Sequence, residues 1–373
     1  MTSYLNIEGL HAYMDHPVEV TVLLNGAREG NTPLETIANT QDERVDINIV
    51  AWGEVDGKPY GLDVTGLGAT SRFDLHGYHK LWRYLSDNQP DVLHVHPIAI
   101  GAVATGIAQV LGIPVITTEH NSHNQYGAVK KMVNGITNAF RSVVVSNSQA
   151  TADSFSTWEQ YLLRVTNTNH IVIPYGPSID RIDTYRRERS PPKLPEGIVI
   201  GACGRLFAVK NFTTLIDAMA DIQPEYSDVY LVFAGEGPQR ERLEEKVRNN
   251  GLTNNVHFLG WLPSQKDVFA FYDAIDIFAF PSHYEGFGMA NAEAMAAGTP
   301  VVCNDIPVLR EVVGDAGILI DATDENELAN ALKRLIRNPD LRSELGERAR
   351  ERIENRYSIT RSAVEYADTY HKL

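Results

Sequence analysis

The chain has 373 residues, 43% of them hydrophobic and 22% charged; that is enough apolar material for sizeable cores, which excludes a disordered segment and predicts two globular domains. Its 33 Lys and Arg stand against 48 Asp and Glu, a net charge of -15, so no global positive field gathers phosphates and nucleic acid is disfavoured as the main partner. The charge reads as that of an acidic cytosolic enzyme, with adaptation to high salt as the alternative. Cys203 and Cys303 each end an apolar run and are expected as buried, reduced thiols, which also points to a cytoplasmic setting. Residues 1–17 lack the basic start and apolar run of a signal peptide, and no stretch approaches the roughly 20 apolar residues of a membrane span. The expectation is a cytoplasmic protein, at most peripheral to the inner face of a membrane.

Short β-branched runs alternate with helical patterns, which predicts α/β architecture with parallel sheets covered on both faces. The first series of predicted strands is Val18–Leu24, Val45–Trp52, Asp91–Val95, Pro114–Thr118, Ser142–Ser146 and His170–Ile173, with helical stretches near 98–111 and 128–141. Behind the first strand comes Asn25-Gly26-Ala27-Arg28-Glu29-Gly30-Asn31. His94 and His96 share one strand face; a metal shared with His120 or His123 is conceivable, but packing and hydrogen bonding at a cleft floor is preferred. On the stretch 128–141, Lys130, Lys131 and Arg141 accompany Val129, Met132, Ile136 and Phe140 as a possible surface helix with weak peripheral membrane contact. Three cations make no strong basic patch, so an ordinary amphipathic helix is preferred.

Residues 1–174 are expected as one Rossmann-like domain, and 175–197, polar and rich in proline at its end, as a linker. A second such domain is expected over 198–355, with strands Ile198–Cys203, Val229–Ala234, Val256–Leu259, Ile275–Phe280 and Thr299–Cys303. The helical tail allows residues 356–373 to cross back to the first domain. Ligands of such sheets bind outside the carboxyl ends of the strands, so the two domains make a cleft.

At those strand ends lie Gly204-Arg205 with Lys210, where two cations can converge on one anion; alone, such cations are ordinarily solvated. Gly235-Glu236-Gly237-Pro238 is a common strand-to-helix turn. In Gly260-Trp261-Leu262 the backbone can bond a base edge, while Trp261 stacks on the base or, by default, packs. Last come Glu285 and Glu293. With a helix over 288–297 they stand roughly 12 Å apart along its axis. That is the reach of a nucleotide sugar with its diphosphate at the helix start. It is too far for a glycosidase pair, which needs about 5 to 9.5 Å.

Glu285-Gly286-Phe287-Gly288, the seven-residue gap to Glu293, and Ala294-Met295-Ala296-Ala297-Gly298-Thr299-Pro300 resemble the E-x7-E signature of the retaining glycosyltransferases of family 4, glycosyl transferases group 1, which have the GT-B fold. Gly204-Arg205, Lys210, Gly235 to Pro238 and Leu259-Gly260 occur in the family's order. The resemblance implies a nucleotide diphosphate sugar as donor, bound by Arg205 and Lys210 at the diphosphate, Glu285 at a sugar hydroxyl and Glu293 at the ribose. It implies backbone amides of Phe287, Gly288 and Met289 at sugar and phosphate oxygens, and His120 near the anomeric centre. No metal or other cofactor is then required, since two cations and a helix start can hold the leaving charge.

The family's paired glycines are separated here into Gly26 and Gly30, so with His96 they form only a weak acceptor side. The family's Pro-Asn-Gly-Val-Asp is altered to Pro174-Tyr175-Gly176-Pro177-Ser178-Ile179-Asp180, read as a hinge variation. The activity implied is transfer of a hexosyl unit to a glycan or lipid-linked acceptor hydroxyl. A catalytically silent donor-binding subunit of a glycosyltransferase complex is the alternative, and a nucleotide-sugar epimerase a more distant one.

Overall fold

The computed structural model describes residues 16–28, 32–40, 43–96, 98–188 and 192–373. The first domain is a seven-stranded parallel sheet of Val18–Leu24 (β1), Val45–Ala51 (β2), Val64–Gly66 (β3), Val92–Val95 (β4), Val115–Glu119 (β5), Val143–Ser146 (β6) and Asn169–Val172 (β7), in the order β3-β2-β1-β4-β5-β6-β7. The second has six parallel strands, Ile198–Cys203 (β8), Val229–Ala234 (β9), Val256–Gly260 (β10), Ile277–Phe280 (β11), Val301–Asn304 (β12) and Ile318–Ile320 (β13), in the order β10-β9-β8-β11-β12-β13. In both sheets the chain leaves the first strand towards one edge and returns to build the other. That opens a crevice at the carboxyl ends of β1 and β4 and of β8 and β11, where a doubly wound sheet takes its ligand.

The inner strands are apolar without alternation because helices cover both faces; β4, β6, β11 and β12 are buried throughout. The short edge strands β3 and β13, three residues each, have exposed or half-buried positions instead and were missing from the expectation. A helix Leu75–Asn88 was likewise missing from the expectation. Its N-cap Asp74 accepts from the amides of His76 and Gly77, but its buried face amounts to little more than Leu81 and Leu85.

The segment expected as a plain linker carries a helix, Ile179–Arg187. It packs on the second domain's helix Gln265–Ala274 through Arg181 to Gln265 (2.9 Å) and Arg186 to Asp273 (3.0 Å). Arg181 also pairs with the buried Glu35 of the first domain at 3.0 Å. The final helix, Ile359–Tyr370, crosses back and buries Tyr366 and Tyr370 in the first domain's core. The two crossings are knitted together where Ser362 donates to the carbonyl of Pro174 (2.5 Å) and the Ile359 amide to that of Pro177 (3.2 Å).

The helix Ala128–Asn138 turns its apolar residues outward, with Val129 72% and Ile136 46% exposed, contrary to the ordinary amphipathic helix expected. Arg141 is buried rather than on that surface: it donates to Asn138 and to the Thr105 hydroxyl. It belongs to a buried cluster centred on Glu119, whose carboxylate accepts from Asn134 (2.7 Å) and Asn138 (3.0 Å) and lies 3.4 Å from His123. His123 meets Glu159 on its other side at 2.7 Å. Burial alone would neutralise these groups. Their contacts overcome it, holding Glu119 down to about 2 and raising His123 to about 8.

The sign follows for each. His123 titrates above its ordinary 6.5, so its stabilisation is full below that pH and is lost as pH rises through about 8. Glu119 titrates below 4.5, so its share is full above that pH and is lost as pH falls towards 2. Glu119→Gln should therefore lower stability by about 3–5 kcal/mol at pH 6, because it strands a buried cation. The wild-type urea midpoint should fall between pH 6.5 and 9, and a His123→Gln variant should lose that decline.

Candidate active site

Three neighbouring strands of the second sheet, β8, β9 and β10, end in Gly204, Gly235 and Gly260. Gly235 has φ 135°, and a Cβ there would lie 2.1 Å from the Gly204 carbonyl oxygen, so backbone meets backbone. Its amide donates to the Gly260 carbonyl at 2.7 Å. The result is a shelf of main chain without side chains, open to close approach by a ligand.

Above the shelf is a cleft of about 980 Å³ bounded by both domains. It gathers Gly204, Arg205, Gly235, Trp261, Leu262, Met289 and Glu293 from the residues singled out in the sequence. Trp261 is 64% exposed on its rim, so the default of a packed indole is overturned. Opposite stand Arg28, in the loop of Gly26, and Asp56, Lys58 and Pro59 of the first domain, none of them singled out in the sequence as a site residue. For Asp56, Lys58 and Pro59 the only signal was position after β2. Gln265 and Tyr272 also line the cleft without having been anticipated.

Glu293 is not an exposed helix carboxylate. It sits on the cleft wall in the helix Met289–Ala296 and accepts from the Tyr272 hydroxyl at 3.1 Å. Burial raises its pKa to about 7, against the Tyr272 hydrogen bond and with a smaller push from the Glu35 charge. Arg205 is exposed at the same cleft, its guanidinium 4.5 Å over the Phe207 ring.

Glu285 and Lys210 lie off this cavity, salt-bridged to each other at 2.6 Å and both part-buried. The loop that carries Glu285 is tied to the Lys210 loop by the His283 amide on the Val209 carbonyl (2.9 Å). On its other side it abuts the first domain. A Cβ on Gly286 would come 2.3 Å from the His120 carbonyl oxygen, and the Tyr284 hydroxyl donates to the Asn121 side chain at 3.0 Å. Phe287 is buried beneath, and Gly288, at φ 88°, turns the chain into the helix whose first residue is Met289.

His120 faces this loop from the end of β5, but both its ring nitrogens are taken. Nδ1 meets the Tyr175 hydroxyl at 2.9 Å and Nε2 meets His96 Nδ1 at 3.1 Å. His94 is likewise held between the hydroxyls of Tyr370 (2.7 Å) and Thr118 (2.8 Å). Burial keeps all three imidazoles neutral, with His94 down to about 3, His120 to about 4 and His96 well below its ordinary value. His123 lies in the separate charged cluster, so the structure does not bring it to His94 and His96. Among the described residues, no group of three or more His, Cys, Asp and Glu is disposed to hold a metal. Gly26 packs against the Glu54 carbonyl behind Arg28 and does not line the cleft, and Gly30 lies outside the described residues.

The raised pKa of Glu293 makes its charge a cost to the fold. Its ordinary value of 4.5 moves up to about 7, so stability falls as pH rises between those values and is level above them. Glu293→Gln should stabilise the unliganded protein by about 1–2 kcal/mol at pH 8, the lower part of what the shift implies because the group is partly open to solvent. At pH 4.5 the gain should vanish, as melting temperatures at the two pH values would show.

Two family models match the chain in succession: Glycosyltransferase Family 4 over residues 10–176 and Glycosyl transferases group 1 over residues 185–352. A phosphatidyl-myo-inositol mannosyltransferase of Mycobacterium leprae is 27% identical over 303 residues, covering 80% of this chain and 78% of that one. An alpha-monoglucosyldiacylglycerol synthase of Streptococcus pneumoniae is 29% identical over 295 residues, covering 72% and 64%. Among solved structures, Anabaena Alr3699/HepE in complex with UDP and glucose superposes with a TM-score of 0.79 at 21% identity, over 95% of this chain and all of that one. The two facing α/β domains are thus a GT-B fold, and the chain is a glycosyltransferase belonging to family 4.

Proposed function

We propose that the protein transfers a hexosyl unit from a nucleotide diphosphate sugar to an acceptor hydroxyl with retention of the anomeric configuration. Residues 1–174 would form the acceptor side and 198–355 the donor side. The observation that carries this reading is the cleft over the glycine shelf, with a guanidinium and a half-buried carboxylate on its walls. The relatives' names, which include a mannosyl- and a glucosyl-transferring enzyme, and the UDP in the Anabaena structure support a nucleotide-sugar donor.

In this reading Glu293 receives the ribose hydroxyls, Trp261 and Leu262 border the base, and Arg205 with Lys210 holds the diphosphate. The amides at the start of the helix Met289–Ala296 add their partial positive charge. As the bond from the anomeric carbon to the phosphate oxygen breaks, negative charge grows on the leaving diphosphate, and fixed cations stabilise it most at that moment. The acceptor oxygen bonds the anomeric carbon on the face the phosphate leaves, and its proton passes to a phosphate oxygen. Lys210 and Arg205 serve in place of a metal. Glu285 orients a sugar hydroxyl and, before the donor arrives, keeps Lys210 in place.

For the acceptor we infer a lipid-linked glycan or lipid headgroup at the cytoplasmic face of a membrane. Supporting it are the outward apolar residues of the helix Ala128–Asn138, with Phe140 61% and Tyr161 62% exposed nearby and Lys130 beside them. No helix among the described residues is long and apolar enough to cross a membrane, so such contact would be peripheral.

Lys210→Ala and Glu285→Ala should each lower kcat by about 10²–10³-fold with little change in melting temperature. Wild-type turnover in both would overturn the site. The donor is found by thermal shift with UDP, GDP and ADP sugars, where a ligand at 100 times its Kd adds about 2.7 kcal/mol. The product's anomeric proton coupling then decides retention. Separately, Ile136→Asp with Phe140→Asp should abolish flotation of the protein with anionic vesicles while leaving transfer to a soluble acceptor intact.

A further inference from the structure

Buried hydroxyls and imidazoles lie in two short rows between the crossing helix and His96. In the first, the Tyr370 hydroxyl meets His94 Nδ1, His94 Nε2 meets the Thr118 hydroxyl, and Thr118 meets the Tyr366 hydroxyl at 2.9 Å. In the second, Tyr175 meets His120 Nδ1, and His120 Nε2 meets His96 Nδ1. The second row ends at His96 Nε2, which is buried with no hydrogen-bond partner.

A phenol is the better donor and a neutral imidazole nitrogen the better acceptor. Tyr370 therefore donates to His94 Nδ1, and Tyr175 donates to His120 Nδ1. His120 then carries its proton on Nε2, and so does His96.

We propose that Tyr175 is a positioning residue that holds His120 as its Nε2–H tautomer, ring fixed, beside the donor loop. Tyr175 is placed to do so. It is 3% exposed, its ring stacks on His120 at 5.6 Å, and its other side meets the edge of Phe287 at 6.3 Å, inside the loop that carries Glu285. When donor enters, His120 exchanges His96 for a sugar oxygen and donates to it from Nε2. This step rests on the proposed placement of His120 at the donor sugar; the tautomer does not.

The test combines two readouts on the full chain. Long-range ¹H–¹⁵N correlation spectra of histidine-labelled protein without donor should show His120 as Nε2–H in the wild type. In Tyr175→Phe, which removes the donor to Nδ1 and keeps the ring, the Nδ1–H form should appear. The variant should lower kcat about tenfold, the scale of losing a group that orients a functional histidine, with the donor KM within about twofold. An Nδ1–H His120 in the wild type, or an unchanged tautomer in Tyr175→Phe, overturns the proposal. Full activity in His120→Ala would instead remove the placement of His120 at the donor and leave the tautomer result standing.

Discussion

The backbone of Gly286 lies against the carbonyl oxygen of His120, where a Cβ would come within 2.3 Å. Main chain cannot change rotamer to relieve a clash, so this contact sets how near the Glu285 loop approaches the first domain. The rest of the loop is arranged around it. Tyr284 reaches across to Asn121, Glu285 turns back to Lys210, and Phe287 goes down between Tyr175 and Tyr357. Any side chain at position 286 would part the domains at the place where the site needs them together.

Strand β5 divides two chemistries by its alternation. Thr118 and His120 point to one face and Glu119 to the other. On the first face burial acts on imidazoles that have only hydroxyls and each other for company, and they stay neutral. On the second, His123 lies between two carboxylates, and their contacts outweigh the same burial. One face thus holds an uncharged relay near the cleft, while the other holds a charged cluster that anchors the fold. Glu293 is a third case, a carboxylate with a phenol but no cation to offset its burial, as fits a group reserved for a ligand.

The expected strands were found where both faces are buried, because an apolar run such as Val143–Ser146 reflects that burial residue by residue. The expected edge strands β7 and β10 were found as well, whereas β3 and β13 escaped notice because each is only three residues long. The helix Ile179–Arg187 was read as a linker because its apolar face is narrow, Ile179, Ile182 and Tyr185 among charged residues that include Arg181 and Arg186. In the site, Gly204, Gly235 and Glu293 were legible from glycines and acids at fixed spacing. Arg28 and Lys58 were not, being ordinary loop cations until the second domain is placed opposite them.

The sequence by itself determined the parallel α/β architecture in two units and the glycine-lined strand ends that border the cleft. These depend on burial period and backbone freedom, which are properties of neighbouring residues. Only the tertiary structure decided that Arg141 is buried, that Trp261 is bare, and that Lys210 is bound to Glu285. Those outcomes depend on partners far apart in the chain, 75 positions for Lys210 and Glu285 and 276 for His94 and Tyr370. No local pattern encodes such a pairing, because the charge or hydroxyl that completes it comes from another strand or from the crossing helix.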